Sequence, residues 1–192
     1  MADEGASPRE LIVEACRRDQ PHLIEQVLSE MEDKTNEQVA QFFNEVTDPM
    51  GNHALHICAQ YGSCIVCHIQ EYLQAASTIT DAPLIDDAMD ALFDIQFFEC
   101  DPLTRLDKDT PLHIAVRYAN DKDKELGAHM ISMMCEAGCD PRVRNKHGQK
   151  PADLVFNNDE IKKTLQQTEY IMAEGIQTNN GDSDDGEPSD SD

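Results

Sequence analysis

The run Cys64-Ile65-Val66-Cys67-His68 has the C-x-x-C-H spacing that attaches a c-type haem. With Cys58 added, the same set, Cys58, Cys64, Cys67 and His68, could instead hold zinc, because positions i, i+3 and i+4 of a helix share a face and thiolates bind zinc well. His56 and His113 could act as bases beside nearby cysteines, in a Cys-His nucleophile arrangement. Near the C-terminal end, Ser189 and Ser191 stand among aspartates, as the substrates of acidic-directed kinases do, although a solubilising tail explains the same composition.

Each chemistry needs more than its motif. Haem attachment requires export, and residues 1–5 open acidic with no apolar segment behind them, so neither a secretory signal nor a basic transit peptide is expected. A structural zinc site usually pairs two short chelating turns, which this spacing does not supply. No third orienting group, Gly-rich phosphate loop or paired-carboxylate spacing accompanies the histidines. The expectation is therefore no catalytic residue, no bound metal and no cofactor.

The elements that must position these residues are bounded by bulk properties. A chain of 192 residues suits one domain, and with no Trp and 5% aromatic residues its core must be mostly aliphatic. No apolar run approaches the roughly 20 residues needed to cross a bilayer. Seven cysteines, an odd number without a signal segment, are expected as reduced thiols in the cytoplasm or nucleus. The net charge of −23 opposes contact with a phosphate backbone and favours a basic protein partner. Six of those charges lie in the apolar-free stretch 178–192 of the tail, and subtracting six from −23 leaves −17, so the body is acidic too. That tail is expected to be disordered.

Helix starts punctuate the rest. Ser7-Pro8-Arg9-Glu10 is a complete capping box with Pro at the first helical position, followed by the stripe Leu11, Ile12, Ala15 and Cys16. Pro21 opens a second helix bearing Leu23, Ile24, Val27, Leu28 and Met31, and Thr35-x-x-Gln38 opens a third.

The chain also resembles itself. Gly51-Asn-His-Ala-Leu-His-Ile-Cys-Ala-Gln-Tyr-Gly62 aligns with Asp109-Thr-Pro-Leu-His-Ile-Ala-Val-Arg-Tyr-Ala119, and Cys100-Asp101-Pro102 recurs as Cys139-Asp140-Pro141. Two landmarks in the same order mark a repeat. The string Thr110-Pro111-Leu112-His113-Ile114-Ala115 resembles the T-P-L-H-x-A signature of the ankyrin repeat family. That resemblance implies an all-α solenoid of stacked helical hairpins with short β-hairpin turns.

The implied layout is a disordered N-terminus (1–6) and an ankyrin-repeat domain (7–173), followed by the acidic tail (174–192). Within the domain lie a cap hairpin (7–47), a repeat (48–75), an insert (76–99), a second repeat (100–138) and a terminal repeat (139–173). The insert is needed because Leu55 and Leu112 are 57 residues apart where one repeat spans about 33. It is expected to hold a helix opening at Pro83, with Leu84, Ile85, Ala88, Met89, Leu92 and Phe93 on one face and Asp86, Asp87, Asp90 and Asp94 opposite.

In the family's register Cys58 falls at a buried Ala position, and His56 and His113 bond backbone in the turns instead of activating a nucleophile. Partners are bound on the concave face. The candidates there are the turn tips Met50, Asn52, Lys108, Asp109, His147 and Gln149, together with Gln60, Tyr61, Arg117, Tyr118, Asn157 and Asn158 on first helices. Tyr61 and Tyr118 occupy equivalent positions, and Tyr is enriched among interface hot spots. The implied function is a monomeric adaptor or scaffold for another protein, without direct contact to nucleic acid or membrane. A second reading is a dedicated chaperone that shields a basic ribosomal protein.

Overall fold

The computed structural model describes residues 6–64 and 87–175. Among these, an inner layer stacks α1 (Pro8–Arg18), α4 (Ala54–Tyr61), α6 (Pro111–Asp121) and a 3-10 turn (Pro151–Leu154) in chain order. An outer layer holds α2 (Pro21–Glu30), α5 (Ala88–Phe93), α7 (Lys124–Glu136) and α8 (Asp159–Glu174), each against its inner partner. Helix α3 (Asn36–Glu45) links the first hairpin to the first turn. The chain is thus a helical solenoid, with no named strand among the described residues and a single antiparallel bridge, Thr47 to His53, in its first turn.

Local sequence explains the boundaries. At α1 the Glu10 N–H donates to Ser7 Oγ while the Glu10 carboxylate accepts the Ser7 N–H at 2.8 Å, so two backbone donors are satisfied reciprocally. Thr35 and Gln38 repeat this device at α3. The stripe then buries Ile12, Ala15 and Cys16 against α2 and α4, in a core that is mainly aliphatic.

Helix α5 differs from expectation in detail. Asp87, expected on an outward acidic face, is buried and caps the helix instead, its Oδ1 accepting from Met89 N and Asp90 N at 2.9 and 2.8 Å. The Ala88 N–H donates to Asp19 Oδ1 at 2.9 Å, and Asp19 itself ends α1 in the left-handed conformation. Ala88, Met89 and Leu92 are buried against α2 and α4, which puts α5 in the outer layer beside α2. The helix start expected at Pro83 and the second helix expected between Gly62 and Leu73 lie outside the described residues.

Three turns, at 47–53, 104–110 and 144–150, project beside the inner helices. In the first, the Asp48 carboxylate accepts from Met50 N and Asn52 N at 2.9 and 2.8 Å. In the third, Asn145 Oδ1 accepts from His147 N and Gln149 N at 3.0 and 3.1 Å. Arg105 stands at the equivalent place in the middle turn, and Thr104 Oγ1 takes over by accepting from Asp109 N at 2.9 Å.

All three turns pass through the left-handed region, at Gly51 (φ 83°), Lys108 (φ 55°) and Gly148 (φ 75°). Lys108 pays the Cβ repulsion that the two glycines avoid. Lys108→Gly should therefore raise stability by about 0.5–1 kcal/mol, seen as a higher urea midpoint at unchanged slope. A lower midpoint would mean that the lysine side chain stabilises the turn.

Candidate protein-binding groove

The turns are held at a fixed height by two histidines. His113 is fully buried, and its Nδ1 accepts the Thr110 N–H at 3.1 Å while Nε2 donates to the Gln149 carbonyl at 2.9 Å. His56 does the same one repeat earlier, with Nδ1 accepting from His53 N at 3.2 Å and Nε2 donating to the Asp109 carbonyl at 2.9 Å. Because a backbone N–H can only donate, Nδ1 must be bare and the ring neutral with its proton on Nε2. Each ring caps its own helix and latches the next turn. Desolvation pushes the pKa of His56 down to about 4 against a supporting bond from Asp109, and it lowers that of His113 for the same first reason.

Asp109 ties the turns laterally. Its Oδ2 accepts from Arg117 Nη2 at 3.0 Å and its Oδ1 from Asn145 Nδ2 at 2.9 Å. At 3% exposure it offers a partner almost no surface, so this predicted contact residue works by positioning Arg117 and the third turn.

Between the turns and the inner helices runs a groove of about 370 Å³. It brings together six of the predicted residues, Met50, Asn52, Gln60, Asp109, Arg117 and Tyr118, and adds Arg105, Leu106 and Lys122. Met50 and Leu106 present exposed apolar tips at its rim, 63% and 64% accessible. Tyr61 does not line this groove, Lys108, His147 and Gln149 lie on the turns outside it, and the Gln149 carbonyl is committed to His113. Asn157 and Asn158 are not on an inner helix: that helix shortens to the turn Pro151–Leu154, Asn157 adopts a left-handed φ, and buried Asn158 caps α8.

Lys122 joins the two tyrosines. Its ammonium lies 5.0 Å from the Tyr118 ring centroid and 6.0 Å from that of Tyr61, and it donates to the Gln60 carbonyl at 2.8 Å. Arg17 covers the Tyr61 ring at 5.6 Å. Tyr61 stays 47% exposed, whereas Tyr118 is half-buried against Gly62, where an added Cβ would come within 2.6 Å of the Tyr118 ring. The sequence reading missed Lys122, although its place four residues after Tyr118 puts it on the same helical face. Arg17, from the cap hairpin, gave no comparable signal.

The cysteines of the metal reading serve as small core groups where they are described. Cys58 is fully buried, as is Cys16 on the neighbouring helix α1, and the Cys64 sulfur lies 3.1 Å from that of Met133. Cys67 and His68 fall outside the described residues, as do Ser189 and Ser191. Among the described residues no three His, Cys, Asp or Glu side chains converge as metal ligands, and no helix is long and apolar enough to cross a membrane.

Comparison with known proteins places this geometry. A family model of the ankyrin repeat matches residues 107–146, which contain the end of the middle turn, α6 and α7. The ankyrin repeat domain of Bcl-3, a member of the IkappaB protein family, covers 84% of this chain and 99% of its own at 12% identity. Its TM-score of 0.21 means that the superposition adds nothing to the fold assignment. An ankyrin repeat-containing protein of Saccharomyces cerevisiae (strain ATCC 204508 / S288c) is 38% identical over 189 residues, spanning 97% of this chain and 90% of the relative. Identity at that level along nearly the whole of both chains goes well beyond one matching motif, and this chain belongs to the ankyrin repeat family.

Proposed function

We propose that the chain is a monomeric, non-catalytic protein-binding module whose concave groove takes a segment of a partner protein. The observation that carries this reading is the cluster of Tyr61, Lys122 and Tyr118, flanked by the exposed tips of Met50 and Leu106. Aromatic rings held by neighbouring cations lose little freedom on binding, and Tyr and Arg dominate interface energetics.

Charge divides the partner's requirements. The excess of 38 acidic over 15 basic residues attracts a basic protein at long range and disfavours nucleic acid. The groove itself carries Arg105, Arg117 and Lys122 beside Asp107, Asp109 and Asp121, so its charges balance. A segment entering it should therefore be largely apolar, while basic surface of the same partner faces the acidic body outside.

The test is affinity purification with mass spectrometry, with and without residues 176–192, followed by titration of the retained protein. Tyr61→Ala with Lys122→Ala should weaken its binding by more than tenfold with the helical circular dichroism unchanged. Unchanged affinity would remove the groove from the interface. Lys122→Ala also removes the cation beside the Tyr118 ring and the bond to the Gln60 carbonyl, so an unchanged urea midpoint is what separates loss of the cluster from loss of the fold.

A second reading, a chaperone shielding a basic ribosomal protein, rests on the net charge together with the Asp-rich insert, and on the acidic tail. It requires a basic protein to be retained at low salt and released as salt screens the attraction. Retention that ignores salt would count against it.

A further inference from the structure

Cys100 and Cys139 open the recurring Cys-Asp-Pro of two consecutive repeats, and the stack brings them together. The Asp140 N–H donates to Asp101 Oδ2 at 2.9 Å, fastening the two Cys-Asp-Pro turns side by side. The Cys139 sulfur lies 3.6 Å from the Cys100 carbonyl oxygen, and the Cys100 sulfur lies 3.7 Å from the carbonyl oxygen of Ala137, two residues before Cys139. Cys139 is fully buried, whereas Cys100 is half-buried and reaches solvent.

A second thiol pair supplies the contrast. Cys16 and Cys58 also neighbour each other, but both are fully buried between helices α1 and α4. Proximity is common to the two pairs, and access is not.

We propose that Cys100 and Cys139 form a peroxide-sensitive pair that closes to a disulfide between consecutive repeats. Cys100 reacts first because it is the accessible sulfur, and the neighbouring Cys139 thiol favours its thiolate against partial burial and the Asp101 and Glu99 carboxylates. The thiolate takes one oxygen from hydrogen peroxide. The O–O bond breaks, hydroxide leaves, and Cys100 becomes a sulfenic acid. The Cys139 sulfur then attacks the Cys100 sulfur, forming the S–S bond and breaking S–O, and the departing hydroxide leaves as water with the Cys139 proton. The two thiols supply the two electrons that reduce the peroxide to two waters. The bridge would tie the repeat carrying α6 and α7 to the terminal repeat.

The full chain, treated with about equimolar hydrogen peroxide, alkylated under denaturing conditions and digested without reductant, should yield one linked peptide pair containing Cys100 and Cys139. Two of the seven thiols should be lost from titration, recovered with dithiothreitol, and the oxidised protein should melt at a higher temperature. Cys100→Ser should abolish the loss and Cys16→Ser should leave it unchanged. Because the peptide map uses the unaltered chain, it decides even if a variant folds poorly. Retention of all seven thiols, a bridge between other cysteines, or Cys100 oxidised alone with Cys139 still free would each overturn the assignment.

Discussion

His113→Ala is expected to cost about 3 kcal/mol, a large share of the 5–15 kcal/mol that holds a typical domain. The substitution removes both ends of a latch. The Thr110 N–H and the Gln149 carbonyl lose their bonds to the ring, at about 1–3 kcal/mol for each group left buried and unpaired. An imidazole-sized void adds a cavity cost, and solvent reaching the opened turn relieves part of the sum. Urea unfolding should therefore show a midpoint lowered at roughly constant slope. A change below about 0.5 kcal/mol would show that backbone packing alone holds the third turn.

The same latch sets a pH dependence whose sign follows from the neutral rings. Below pH 6.5 the unfolded chain protonates its histidines, while folded His56 stays neutral until about pH 4. The unfolded state then binds more protons, so stability is full above pH 6.5 and falls as pH drops toward 4. For His56 that interval corresponds to about 3 kcal/mol, and His113 acts in the same direction. Asp101 opposes them. Burial pushes its pKa up to about 6, so the folded state takes a proton there before the unfolded one does, and stability rises as pH falls. That group is part-exposed, and solvent screening discounts its effect, so the histidines should win. His56→Gln should flatten the fall between pH 6.5 and 4, and a profile identical to the parent protein's would exclude His56 as its source.

The residues that made this fold legible are those whose role is local. Ser7 with Glu10 and Thr35 with Gln38 act within one helical turn, so the sequence spelled out their capping boxes. His113 was legible at one remove, because a repeat register says where its ring must go. The misplaced residues depend on tertiary neighbours. Asp109 sits at a turn tip in sequence, yet Arg117 and Asn145 converge on it from α6 and from the next turn. Asp87 has the spacing of an exposed face, yet α5 begins one residue later and draws it in as a cap. Around Lys122, the equivalence of Tyr61 and Tyr118 was visible as a repeat. Their common partner Lys122 was not, because it extends beyond the repeated pattern into the lengthened turn after α6.

Gly127→Ala tests the packing on which that groove stands. Taken alone, helix α7 should gain from the change, since Ala is favoured over Gly in a helix interior by about 1 kcal/mol. The neighbour decides otherwise. A Cβ at Gly127 would lie 2.6 Å from the Ala119 Cα and 2.9 Å from its backbone nitrogen, atoms of α6 that cannot rotate away. The two helices would have to separate, and overpacking of this kind costs about 1–3 kcal/mol or more, which outweighs the propensity gain. Ala119 follows Tyr118 directly, so separation also displaces the floor of the groove, and partner affinity should fall together with the thermal midpoint. Ala119→Gly in the same chain removes the facing Cβ and should recover part of the loss, giving a favourable coupling in a double-mutant cycle. If Gly127→Ala instead matched or exceeded the parent protein in stability, helix propensity would have won, and the close approach of α6 and α7 would not be what fixes the groove.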